Sequence, residues 1–127
     1  MKIIQTSQAP APVGPYNQAI AANGFLFVAG QIALDPQTMT IVAEDVQGQT
    51  TQVMKNLEAI LKEAGCEWKH IVKTTVFLSD MNNFATVNAI YAQYFDEAIA
   101  PARACVEVSR LPKDVLVEID CVAVLPS

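Results

Sequence analysis

Near the C-terminus the sequence sets Arg103, Cys105 and Glu107 at alternate positions of one β-like stretch, Pro101 to Pro112. Alternate residues of a strand share a face. The spacing therefore predicts one face with Arg103, Cys105, Glu107 and Ser109, suited to a cleft or an interface, and one with Ala104, Val106 and Val108, suited to a core. The chain has only two arginines. A guanidinium set in an apolar strand needs an anion, and its planar fork matches a carboxylate through two parallel hydrogen bonds. Where the protein offers no carboxylate, a small organic acid fits. Cys105 beside an arginine invites comparison with a thiol nucleophile. Such a thiol needs a base, and the one histidine, His70, precedes a different strand, so Cys105 reads as a small cleft-lining group.

Two further polar residues interrupt apolar patterns. Glu118 falls within the final strand, Val115 to Leu125, where either an edge position or a place in a site accounts for it. Asn88 falls in a helical stripe with Phe84, Val87, Tyr91 and Phe95, where backbone partners are the simpler expectation for a buried amide. Upstream, Ala9 to Tyr16 holds three prolines and a glycine, which reads as a surface loop or as a stiff arm that fixes Tyr16. Gly30-Gln31 follows a hairpin directly, and Gly30 marks a bulge or a close backbone approach.

The elements that must hold these residues are legible in outline. Residues around Ile3 form a short strand. Asn23-Gly24 joins Gln18–Ala22 to Phe25–Ala29 as a hairpin, since both turn residues accept positive φ. From Asp45 to Ala64 the apolar period becomes helical, with Asp45 as the start and Gly65 as the stop. His70 to Leu78 is a strand, and a second helix runs from Asp80 or Asn82 to about Phe95. The order β-β-β-α-β-α-β-β predicts an α+β fold, a mixed sheet with two helices on one face. The other face then needs cover, which further copies of the chain would supply. A hairpin across Arg110–Asp114 would pair Ser109 with Val115 and turn Glu118 away from Arg103. A bulge or another loop length reverses this; otherwise the two residues meet only across an interface.

With 127 residues the chain is expected to be one domain, 1–127. A net charge of −5 with scattered lysines argues against nucleic acid. No apolar run approaches the roughly 20 residues that span a bilayer, and no secretory leader is evident, so a soluble cytoplasmic protein is expected. Three cysteines without metal spacing and no glycine-rich phosphate loop predict no metal and no cofactor.

The chain resembles the Rid (YjgF) family of reactive-intermediate enamine/imine deaminases. The resemblance rests on Gly14-Pro15-Tyr16, Gly30-Gln31-Ile32, the run Ile71 to Leu78, the run Phe84 to Asn88, the run Pro101 to Val108, and Leu111 to Val115 followed by Glu118. It covers nearly the whole chain. It implies a chorismate-mutase-like fold, a homotrimer with a cleft at each subunit interface, and hydrolysis of 2-imino acids, formed from 2-enamino acids such as 2-aminoacrylate, to 2-keto acids and ammonia. It further implies that Arg103 binds the substrate carboxylate, that Glu118 positions the water, that Tyr16 and Cys105 line the cleft, and that Asn88 lines or supports it. Backbone groups at Gly30 and Gln31 would meet the imine nitrogen. Two positions depart from the family pattern: Ala29 stands where a serine hydroxyl often faces the cleft, and Met39 where a turn glycine is common. A trimer that binds small carboxylates or regulates partner proteins without catalysis is the competing reading. Chorismate mutase, from fold alone, and RNA cleavage fit poorly with one or two arginines and an acidic chain.

Overall fold

The computed structural model describes residues 1–127. Six strands form one mixed sheet: β1 (Lys2–Ile4), β2 (Ala19–Ala22), β3 (Phe25–Gln31), β4 (Ile71–Leu78), β5 (Ala102–Glu107) and β6 (Val117–Val124). Their spatial order is β1-β2-β3-β6-β4-β5. All neighbours are antiparallel except β4 and β5. Two helices, α1 (Val46–Glu63) and α2 (Phe84–Tyr91), cover one face. The expected α+β order is therefore present. The second helix is shorter than its apolar stripe: after Tyr91 the chain tightens into a 3-10 turn over Ala92–Tyr94.

Local chemistry explains most of these elements. Asn23 (φ 52°) and Gly24 (φ 82°) turn the β2–β3 hairpin with the positive dihedrals that the pair favours. Helix α1 buries Val53, Leu57, Ile60 and Leu61 against the sheet. It ends in a Schellman turn, with Cys66 N–H donating to Leu61 O and Gly65 N–H to Lys62 O. Asp45 stands at its start, but its side chain makes no capping hydrogen bond, contrary to expectation. Met39 takes φ 56°, so a flexible side chain occupies a conformation that glycine would adopt without strain. No helix is long and apolar enough to cross a membrane.

The faces of β5 are the reverse of the pattern-based expectation. Arg103 and Cys105 lie level with Thr74 and Val76 of β4, both buried on the helix side. Ala104 and Val106 lie level with Thr75 and Phe77 on the other side. That other side has no helix over it. It exposes Ile3 (47%), Phe25 (42%) and Phe27 (48%), together with Val106 and Val124. The residues do alternate between faces as expected, but β5 is an edge strand, and its apolar side chains face the uncovered side of the sheet rather than the core. The expected β5–β6 hairpin is also absent, because β4 lies between the two strands.

Candidate active site: two half-sites on opposite faces

The first half-site is built on β5 and α2. Arg103 Nη1 donates to Asn88 Oδ1 at 2.7 Å. Its Cζ lies 4.8 Å from the Tyr91 ring centroid and 5.5 Å from that of Phe84. Asn88 thus binds a side chain, not the backbone as its pattern alone favoured. Cys105 sits on the same face of β5, half-buried against the core. A cleft of about 600 Å³ opens beside Arg103, lined by Asn88, Tyr91, Phe95, Glu97 and Pro101. No acidic side chain pairs with Arg103: the ion pairs of the chain are Lys62–Glu58, Lys69–Glu67 and Arg110–Asp114. The second arginine is therefore clamped by the protein's own carboxylate, and the first is left with four free N–H donors beside a cleft.

Burial pushes the Cys105 thiol above its ordinary range, and the neighbouring Arg103 charge opposes this only in part. The thiol form is thereby favoured, which agrees with a lining role and not a nucleophilic one.

The second half-site lies on the other side of the sheet. A cleft of about 480 Å³ brings together Tyr16, Ala29, Gly30, Gln31, Lys113 and Glu118. The β3–β6 register shifts between Val28 and Gln31, so Ala29 and Gly30 form the expected bulge. A Cβ at Gly30 would meet Glu118 Oε2, so the glycine lets the Glu118 carboxylate lie against the bulge. Glu118 is half-buried, and burial followed by the nearby Asp120 charge raises its pKa above the usual carboxylate value. A carboxylate of raised pKa is a stronger base toward water than an exposed one. Gln31 is buried, and its amide donates to Ala29 O at 3.1 Å, bracing the bulge. Tyr16 is exposed at the rim, and its hydroxyl accepts from Val13 N–H at 3.3 Å.

Three buried amides that carried no signal as site residues hold this cleft open. Gln18 Oε1 accepts from Thr6 N–H at 2.7 Å, and its Nε2 lies 2.9 Å from Pro10 O and 3.2 Å from Ala9 O. This pins the proline arm that presents Tyr16. Asn56 of α1 donates to Ile32 O and Leu34 O, at 3.1 and 3.0 Å, fixing the chain beyond Gln31. Removing it would strand two carbonyls at about 1–3 kcal/mol each. Gln49, one turn from the start of α1, accepts from Leu116 N–H at 2.8 Å and so holds the chain entering β6. Arg110 clasps Asp114 through two hydrogen bonds and steadies the intervening turn, where Lys113 and Asp114 both adopt left-handed backbone.

Arg103, Asn88 and Cys105 thus stand together, as do Tyr16, Gly30, Gln31 and Glu118. The single chain does not bring the two groups into one pocket. No group of three metal-ligating side chains occurs.

The architecture is that of an α+β protein with a mixed sheet and helices on one face only. The chain belongs to the Rid family, also called YjgF, and the family description "Endoribonuclease L-PSP" matches residues 6–125. The homotrimer is the quaternary state of that family. The chain is 79% identical to the RutC family protein slr0709 of Synechocystis, over 100% of this chain and 98% of that one. It is 51% identical to the 2-iminobutanoate/2-iminopropanoate deaminase of Salmonella typhimurium, over 97% of each. The crystal structure of E. coli TdcF with bound serine superposes with a TM-score of 0.91, at 48% identity and 98% coverage of both chains.

Proposed function

We propose that the chain, acting as one domain over residues 1–127, hydrolyses 2-imino acids to 2-keto acids and ammonia at clefts completed between neighbouring subunits of a homotrimer. One observation carries the reading: the only arginine without an acidic partner stands in one half-site, and a half-buried glutamate of raised pKa stands in the other. The uncovered apolar sheet face is what a neighbouring copy would cover, and covering it brings the second half-site of one subunit toward the first of the next.

In that cleft Arg103 grips the substrate carboxylate, with one N–H held by Asn88. This fixes the C=N carbon relative to a water. Glu118 accepts a proton from the water as its oxygen bonds to that carbon, giving a carbinolamine. That proton passes to nitrogen and completes the carbinolamine; the hydroxyl proton then follows the same route through Glu118, so that the C–N bond breaks, ammonia leaves and the C=O forms. The sum is imino acid plus water to keto acid plus ammonia. The imine carbon is already electrophilic, so the chemistry asks for no cofactor. Tyr16 packs over the substrate at the rim, and backbone groups at Gly30 and Gln31 face the imine nitrogen. The similarity to a protein named as a 2-imino acid deaminase supports this substrate class. The cytoplasm, where pyridoxal-phosphate enzymes acting on serine and threonine release such intermediates, is the proposed setting.

Carboxylate binding without turnover is the competing reading, and a relative that holds serine fits it. Glu118 argues against it, because a pure anion binder gains nothing from a carboxylate beside its ligand. The test is ammonia release from 2-aminoacrylate generated by a pyridoxal-phosphate dehydratase. Acceleration over buffer that is lost in folded Arg103→Ala supports the proposal; no acceleration by the native protein removes it.

A further inference from the structure

Helix α2 meets Arg103 through three residues of one face, Phe84, Asn88 and Tyr91, spaced i, i+4, i+7. Asn88 bonds one Nη of the guanidinium, whereas the guanidinium carbon lies over the two rings. Tyr91 is the nearer ring and the more constrained. Its hydroxyl lies 2.7 Å from Thr74 Oγ1, a buried pair. Thr74 is the β4 residue level with Arg103 itself. Phe95 packs against the Tyr91 ring at 4.7 Å between centroids, so the ring is confined by a hydrogen bond at one end and a ring contact alongside.

This arrangement exceeds what core packing requires. A phenylalanine would fill the same volume without a buried hydroxyl to satisfy, and a valine at Thr74 would suit a strand interior as well. The hydroxyl pair fixes where the ring lies, and the ring fixes where the guanidinium lies. We propose that Tyr91, tethered by Thr74, is a positioning residue for Arg103: its ring holds the guanidinium preset for the incoming carboxylate. Without that bed the arginine samples more rotamers, and the ligand must immobilise it on binding. The proposal rests on the reading of Arg103 as the carboxylate grip.

The composition makes the test direct. There are two arginines, and the other is clasped by Asp114, so protein labelled with ¹⁵N-arginine gives two Nε–H signals. Pyruvate, a 2-keto acid, is titrated into the assembled protein, and the single tryptophan, Trp68, reports folding by its fluorescence. Tyr91→Leu is expected to raise the pyruvate Kd and the substrate KM about tenfold through loss of the cation–π contact. The kcat should stay within about twofold, and the Arg103 Nη signals should merge as rotation about Nε–Cζ quickens. Thr74→Val should shift both readouts in the same direction by about threefold. If Tyr91→Leu does not fold, Tyr91→Phe and Thr74→Val decide, and unchanged pyruvate affinity with unchanged Arg103 signals in both overturns the proposal. Unchanged affinity in folded Tyr91→Leu overturns it too, while loss of binding in Arg103→Ala leaves the carboxylate reading standing. An Arg103→Ala protein that still binds pyruvate overturns that reading instead.

Discussion

Arg103 and Glu118 project from opposite faces of one sheet with β4 between their strands: Arg103 is level with Thr74, and Glu118 with Phe77. Successive strand residues alternate faces, so no side-chain rotation lets these two share a pocket within one chain. If both serve one reaction, each cleft takes its arginine from one subunit and its glutamate from the next.

That geometry makes a quantitative prediction. Arg103→Ala and Glu118→Ala proteins, each inactive alone, are mixed in equal amounts, unfolded and reassembled. A cleft is intact when one subunit keeps its arginine and the neighbour its glutamate. Random assembly gives this in about one cleft in four. Ammonia release should recover to about a quarter of the native rate, whereas a site contained in one chain would recover nothing.

Glu118→Gln separates holding from chemistry. The amide matches the carboxylate in size but cannot accept the water's proton. Pyruvate affinity should be kept, while kcat falls about 10²- to 10⁴-fold. Equal losses in both would mark Glu118 as structural, and the measurement is a steady-state profile beside a direct binding titration.

Gly30→Ala tests the same carboxylate through the backbone. The added methyl would meet the far end of the Glu118 side chain, which can swing aside, and the bulged backbone itself need not move. The fold should survive with little change in Tm. The turnover should drop toward that of Glu118→Gln, because the displaced carboxylate no longer addresses the water. An active Gly30→Ala protein would show that Glu118 has latitude that the geometry does not suggest.

How far the sequence disclosed this arrangement depends on the range of the contacts. The Asn23-Gly24 hairpin and the α1 stripe could be read because each is settled within a few residues of chain. The faces of β5 could not: alternation separates Arg103 from Val106 but does not say which side receives helices, and that depends on β4, some thirty residues earlier. The missing β5–β6 pairing failed for the same reason, since local loop length cannot reveal a strand inserted between neighbours. Asn56 and Gln49 are instructive misses. Both share the α1 face of Val53 and Ile60, and a polar residue recurring at core spacing signals a buried amide with backbone to hold. Tyr91 belongs by spacing to the apolar stripe of α2, and the partner of its hydroxyl, Thr74, is supplied only by the packed strand.

The pH dependence of turnover follows from what surrounds Glu118. Burial raises its pKa first, and the Asp120 carboxylate on the same strand face adds to this by disfavouring a second negative charge. Glu118 serves as the base only when ionised, so the acid limb of the kcat profile should lie above the pH at which an exposed glutamate titrates. Asp120→Asn removes the second cause and leaves the first. The folded-state pKa then falls, the ionised form persists to lower pH, and the acid limb should move to lower pH while remaining above that of an exposed carboxylate. A limb that stays put in Asp120→Asn would assign the titration to the substrate imine rather than to Glu118.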